Sequence, residues 1–149
     1  MSVINLRNAV VDDISEILPL LDQLGYPVTE NILKTRFNRF KKCSDNDVVV
    51  AIIDNLIVGF IAWSTTPLFV LDKIRFHIEA LVVNENYRSK GIGKKLIQFV
   101  EEIAHKSGPN IVDLKSSVKR AKDGSHEFYR KIGYRNEGST KTLYLKKEV

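Results

Sequence analysis

Ile4 and Leu6 alternate with polar neighbours before Ala9 and Val10, a period of two that predicts a strand over Val3 to Val10. The period then changes. Ile14, Ile17, Leu18 and Leu21 fall at i, i+3, i+4 and i+7, one face of a helix that Asp12 or Asp13 can cap. Leu24-Gly25-Tyr26-Pro27 breaks that helix, and Thr29 can cap a second one carrying Ile32, Leu33, Phe37 and Phe40. Lys34, Arg36, Arg39, Lys41 and Lys42 occupy the rest of its surface.

Two β-branched and aromatic runs, Asp47 to Ile53 and Leu56 to Ser64, flank Asp54-Asn55 and read as a hairpin. Thr65-Thr66-Pro67 is expected to interrupt the sheet, and an apolar strand of about Lys73 to Val83 ends at Asn84-Glu85-Asn86. Gly91 opens the most periodic helix, with Ile92, Leu96, Phe99, Val100 and Ile103 in one stripe, and Ser107-Gly108-Pro109 stops it. A short strand, Ile111 to Leu114, precedes a short helix, Ser125 to Ile132, with Gly133 suited to its C-terminal left-handed position. Tyr134 to Glu137 and Thr142 to Leu145 are expected to close the chain as two strands.

The 149 residues suit one α/β domain, and no repeat, low-complexity tract or linker divides them. At 44% hydrophobic and 28% charged the chain can bury a core without disulfide or metal. The lone Cys43 forms no internal disulfide and belongs to no zinc-ligand cluster, so no metal is expected. There is no signal-like N-terminus and no apolar run near the roughly 20 residues that span a bilayer. The expectation is a reduced, cytoplasmic protein without membrane partners. A formal charge of +5 favours anionic ligands without choosing among nucleotides, phosphates, coenzyme A, nucleic acid and acidic membranes.

The segment richest in chemistry is Leu81-Val82-Val83-Asn84-Glu85-Asn86-Tyr87-Arg88-Ser89-Lys90-Gly91-Ile92-Gly93-Lys94-Lys95-Leu96, a strand running through a polar loop into a helix. Free N–H groups at a helix N-terminus, with the helix dipole, attract anions. Gly91 and Gly93 remove the Cβ atoms that would hold a phosphate away, and Arg88, Lys90, Lys94 and Lys95 add charge. A tight turn with close helix–sheet packing explains an isolated Gly-x-Gly equally well. The spacing fits neither a Walker loop nor a dinucleotide fingerprint.

Arg88-Ser89-Lys90-Gly91-Ile92-Gly93 resembles the Arg/Gln-x-x-Gly-x-Gly/Ala signature of the GNAT superfamily of N-acetyltransferases. Leu81-Val82-Val83 is similar to that family's fourth strand, and Phe128-Tyr129-Arg130-Lys131-Ile132-Gly133-Tyr134 to its Phe-Tyr helix. The resemblance implies a mixed central sheet of about seven strands flanked by about four helices, in the order βααβββαβαββ across residues 1–149. It implies acetyl-coenzyme A as acyl donor, its pyrophosphate on the N–H groups of Arg88, Ser89, Lys90, Gly91, Ile92, Gly93 and Lys94. The pantetheine arm would run along Leu81, Val82 and Val83, an edge that a bulge opens in this family. Lys94, Lys95, Lys119 and Lys122 could meet the 3′-phosphate. Where relatives carry an asparagine after the fifth strand, this chain has Ser116, Ser117 and Lys119, and Ser117 is the substitute expected to hold the arm.

An alkylammonium with a pKa of about 10.4 must lose a proton before it attacks a thioester. His77 and Glu79 share one face of their strand by period two, and Glu79 is the first candidate for base or water relay, His77 the second. By resemblance, Tyr129 is the acid to the leaving thiolate and the Val83 N–H, or its neighbour's, meets the oxyanion. The resemblance leaves His126 and the hydroxyl of Tyr134 without a chemical role. The expected function is acetyl transfer to a primary amine of a small molecule or peptide, as in small bacterial relatives, with subunit pairing a further expectation. Leu24, Tyr26, Phe37, Trp63 and Phe69 are placed near the acceptor by the resemblance, with core packing the commoner role for each. Few acidic residues (Asp45, Asp47 and Asp72) are placed to recruit a polycation. The rival readings are a catalytically silent coenzyme A-binding regulatory module and nucleic-acid binding through Arg36 to Lys42. No helix-turn-helix, stacking-aromatic or zinc pattern supports the latter.

Overall fold

The computed structural model describes residues 2–43, 45–116, 124–135 and 145–149. The chain forms two compact units, Met1–Leu114 and Lys115–Val149. In the first unit β1 (Asn5–Asn8) is followed by a 3-10 turn (Val11–Asp13), α1 (Ile14–Leu24) and α2 (Glu30–Lys42). Then come β2 (Asp47–Ile53), β3 (Leu56–Pro67), β4 (Ile74–Val83), a 3-10 turn (Glu85–Tyr87), α3 (Ile92–Lys106) and β5 (Ile111–Leu114). The strands lie in the order β1-β2-β3-β4-β5, antiparallel up to β4 and parallel between β4 and β5. The second unit contributes α4 (Ser125–Lys131), after which Gly133 takes the left-handed conformation at φ +99°.

The expected seven strands are not found: the described residues form five strands and four α-helices. Most of Tyr134 to Glu137 and Thr142 to Leu145 lies outside the described residues, and Tyr134, Arg135 and Leu145 at their ends are not in strands. A second correction concerns Thr65-Thr66-Pro67, which extends β3 instead of interrupting it, pairing with Phe76, Arg75 and Ile74. Pro67 is the last residue of the strand, where a missing N–H is tolerated. The first strand is shorter than its alternation suggested, because the ladder with β2 runs only from Asn5 to Asn8.

Local chemistry explains the elements. Asp54 and Asn55 both have positive φ (49° and 63°), the requirement of a tight two-residue hairpin turn with the right twist. Gly25 ends α1 at φ +100°, and Thr29 Oγ1 accepts the N–H of Ile32 at the start of α2. Asp13 does not cap α1. Its carboxylate instead accepts from the Val10 N–H and from Nη1 and Nη2 of the Arg7 guanidinium, the latter at 2.7 and 2.9 Å.

Apolar side chains cover both faces of the sheet. On one, Val48, Val50, Phe60 and Val82 pack with Ile14, Ile17 and Leu20 of α1, flanked by Leu33, Phe37 and Phe40 of α2. On the other, α3 approaches so closely at Gly59 that a Cβ there would stand 3.5 Å from both Ile92 and Leu96. Trp63 and Phe99 meet on the same side, ring centroids 6.2 Å apart.

Candidate active site

The register between β3 and β4 slips where Ala62 faces Ala80 and Trp63 faces Ile78, leaving Glu79 as the extra residue of a β-bulge. The bulge changes which residues of β4 share a face. Arg75 and His77 lie opposite Thr66 and Ser64, whereas past the bulge Ala80 and Val82 lie opposite Ala62 and Phe60. All of these β3 partners have even numbers, so Arg75, His77, Ala80 and Val82 project to the face covered by α1 and α2. Glu79 joins them there, because Ser64 Oγ donates to its Oε1 at 2.7 Å.

The same point on β4 is where the sheet opens. Arg75 to Ile78 pair with Ile111 to Leu114 of β5, and this pairing stops one residue before Glu79. Among the described residues, Leu81, Val82 and Val83 have a ladder partner on β3 and none on the β5 side. Their outward backbone groups form a strand edge that an extended ligand can pair with.

That edge leads to the start of α3. Asn84 turns the chain with its side-chain oxygen on the Asn86 N–H, and Arg88 Nε donates to the Val83 carbonyl at 3.3 Å. Ser89 and Gly91 have left-handed backbones, φ +63° and +81°. Gly91 is the N-cap, and a Cβ there would meet nothing within 4 Å. No side chain caps the helix and no acidic residue stands in its first turn, so the Ile92, Gly93 and Lys94 N–H groups precede the first internal bond, Lys95 N–H to Gly91 O. Lys94 and Lys95 are exposed, while Lys90 lies over the Tyr87 ring at 5.4 Å.

His77 belongs to a second polar group on the α1/α2 face. Its Nδ1 lies 2.6 Å from Asp113 Oδ1 on β5, and Arg75 Nε donates to Asp113 Oδ2 at 2.6 Å. Sequence reading missed Asp113, Arg75 and Ser64. The only signal for them was the register of β4 with its two neighbours, which is tertiary information.

The expected acceptor aromatics separate. Trp63 is 3% exposed and packs on the α3 side, away from the face that carries Glu79 and His77. Tyr26 and Phe69 are exposed, and Leu24 and Phe37 are partly buried against the α1 core. In the second unit Phe128 and Tyr129 rings meet edge-on at 5.2 Å, Tyr129 meets Tyr134 at 6.2 Å, and the Tyr129 carbonyl accepts the Tyr134 N–H. Ser116 is described, and its hydroxyl is buried. Ser117, Lys119 and Lys122 lie outside the described residues. No helix among the described residues is long and apolar enough to cross a membrane.

A bulged fourth strand opening against the fifth, followed by a glycine-capped helix, defines an acyltransferase of the GNAT class, and kinship agrees. Residues 12–134 match the model of the Acetyltransferase (GNAT) family, and the chain belongs to that family. It is 32% identical over 152 residues to glucosamine 6-phosphate N-acetyltransferase 1 of Dictyostelium discoideum, covering 95% of this chain and 91% of that one. It is 28% identical over 135 residues to the glucosamine 6-phosphate N-acetyltransferase of Arabidopsis thaliana, covering 86% and 87%. The crystal structure of an acetyltransferase of Trypanosoma brucei superposes with a TM-score of 0.76 at 29% identity, covering 96% of this chain and all of that one.

Proposed function

We propose that this N-acetyltransferase moves the acetyl group of acetyl-coenzyme A to a primary amine of a small molecule, the amine docking beside Glu79. The observation that carries the reading is the coincidence of three features at one point of β4. There the bulge residue Glu79 is held by Ser64, pairing with β5 ends, and the edge of Leu81 to Val83, which has no ladder partner on the β5 side among the described residues, begins. The family uses acetyl-coenzyme A. Its pantetheine amides would pair with that edge, and its pyrophosphate would take the N–H groups from Arg88 to Lys94 around the Gly91 cap.

The carboxylate of Glu79 receives the substrate ammonium. Glu79, or His77 on the same face, removes a proton directly or through water. The freed lone pair attacks the thioester carbonyl, and the oxyanion is met by the N–H of Val83 or its neighbour. Collapse breaks the C–S bond, and Tyr129, assigned on its motif alone, protonates the thiolate. One domain spanning both units is the reading supported by a family match that runs from 12 to 134. Relatives named for N-acetyl transfer favour this enzyme over a silent coenzyme-binding module.

Glucosamine 6-phosphate is the first acceptor to test, because two relatives are named for acting on it and a net charge of +5 suits an anionic substrate. The test is thiol release from acetyl-coenzyme A with glucosamine 6-phosphate, other amino sugars, amino acids and peptides. Wild type is run beside Glu79→Gln and Tyr129→Phe, with thermal stabilisation by acetyl-coenzyme A as the binding control. Release that both variants lose while still binding cofactor supports the assignment. Stabilisation without release from any acceptor supports the silent module instead.

A further inference from the structure

Three charged or titratable side chains meet where β4 and β5 are still paired, one strand-step before the opening. Arg75 and His77 of β4 face Ile111 and Asp113 of β5 in register. Asp113 Oδ2 accepts from Arg75 Nε at 2.6 Å, Asp113 Oδ1 lies 2.6 Å from His77 Nδ1, and Arg75 Nη2 lies 2.9 Å from the same Nδ1. A neutral imidazole nitrogen is either a donor or an acceptor, so Nδ1 cannot satisfy both neighbours.

The carboxylate decides the tautomer. An unprotonated Nδ1 at 2.6 Å from Asp113 Oδ1 would set two lone pairs against each other, whereas a protonated one makes a short charge-assisted hydrogen bond. Arg75 has its own bond to Oδ2, which fixes the carboxylate in its plane and leaves Oδ1 for the histidine. In a neutral ring the bond to Asp113 Oδ1 requires the proton on Nδ1, which leaves the lone pair on Nε2 and leaves Arg75 Nη2, 2.9 Å away, without a bond to that nitrogen. The His77 side chain is 16% exposed, Asp113 37% and Arg75 35%, so the ring is the most enclosed of the three.

From this geometry we infer that Asp113 is a positioning residue, held by Arg75, which orients His77 with Nε2 as the proton acceptor for the substrate amine. The inference rests on the acetyl-transfer reading above and divides labour between its two candidates. Glu79, anchored by Ser64, binds the ammonium by charge. His77 Nε2 takes one ammonium proton and returns it to solvent. A second proton leaves nitrogen as the tetrahedral intermediate collapses and replaces the one Tyr129 gives the thiolate. The third stays on the product amide. One ammonium and one thioester thus yield one amide, one thiol and one proton.

The inference is tested on the tautomer and on kinetics. Nitrogen-15 imidazole spectra of the intact protein, with His77 among three histidines assigned through His77→Gln, are expected to show the proton on Nδ1. A proton on Nε2 overturns the inference, and this measurement needs no variant of Asp113 to fold. With an acceptor in hand, His77→Gln is expected to lower kcat by about a hundredfold. Asp113→Asn, whose amide can donate to Nδ1 and shift the proton to Nε2, should lower kcat on the order of tenfold to a hundredfold. The KM for acetyl-coenzyme A should hold in both, and Asp113→Glu should restore part of the loss. Wild-type kcat in Asp113→Asn, at unchanged thermal stability, overturns the positioning role while leaving acetyl transfer intact. Absence of turnover in the wild type on every acceptor counts against the function itself, and the tautomer still decides the Asp113–His77 arrangement.

Discussion

Ser64 Oγ donates a 2.7 Å hydrogen bond to Oε1 of Glu79, the one residue that β4 carries in excess of its neighbour β3. A bulge residue has no ladder partner to hold it, so a side-chain bond across the strands gives this carboxylate its direction. Ser64→Ala removes that bond and nothing from the core. A hydrogen bond to a charged group contributes about 1.5–3 kcal/mol, less at an exposed site. The expected result is a three- to tenfold lower kcat/KM for the amine, on the order of 1 kcal/mol. Acetyl-coenzyme A should stabilise the variant as it does wild type. Steady-state kinetics varying each substrate in turn would check this, and an unchanged kcat/KM would count against a role for Glu79 in docking the amine.

Gly59 is fixed by space. A Cβ there would stand 2.8 Å from the Val82 carbonyl oxygen, a backbone atom that cannot swing aside. Gly59→Ala must therefore push β3 away from β4 or lift α3, at a cost of about 1–3 kcal/mol. Denaturant unfolding should show a lower midpoint at unchanged slope.

Gly91 is fixed by conformation instead. Its φ of +81° is left-handed, and nothing lies within 4 Å of a built Cβ. Gly91→Ala is expected to cost about 1 kcal/mol of stability from backbone strain. Because the open space at the cap is where a phosphate would sit, acetyl-coenzyme A should also bind more weakly, by about tenfold. Isothermal titration would separate the two effects.

Asp13 makes folding depend on acid. Hydrogen bonds from Arg7 hold its carboxyl below the ordinary carboxylate range; burial opposes the shift, and the Val10 N–H adds to it. A folded pKa below the unfolded value of about 3.9 means the stabilisation is present above that value. It is lost as pH falls through the lowered folded pKa. Asp13→Asn should destabilise the protein by about 1–3 kcal/mol at pH 7, with the gap to wild type closing over the acid range below about pH 4. Urea midpoints across that range test it, and a gap that widens in acid would contradict the sign.

Much of the fold was legible because it depends on neighbours in sequence. The helical periods of α1 and α3, the Asp54-Asn55 turn, the break at Gly25 and the Thr29 cap are local choices, and the structure has them; within the stripes, Leu20 and Ile97 are buried although neither was expected, and Ile103, which was expected, is exposed. Thr65-Thr66-Pro67 was misread for the complementary reason. Polar residues and a proline weaken a strand taken alone, but pairing with Ile74 to Phe76 extends it. The two last strands were expected from alternation and turn residues, and most of both falls outside the described residues.

The sequence by itself determined the family, through the Arg88 to Gly93 turn and the Phe128-Tyr129 pair, because a helix cap and a short helix are specified within a few residues. It also singled out Glu79 and His77 on one face, since a strand repeats every two residues. Only the tertiary structure decided what holds them. The bulge reverses the alternation after Glu79, so parity along β4 alone cannot say which residues beyond it share the His77 face. Ser64 reaches Glu79 from fifteen residues away, and Asp113 reaches His77 from thirty-six. Such pairings are set by strand register, and register is a property of the assembled sheet rather than of any one strand.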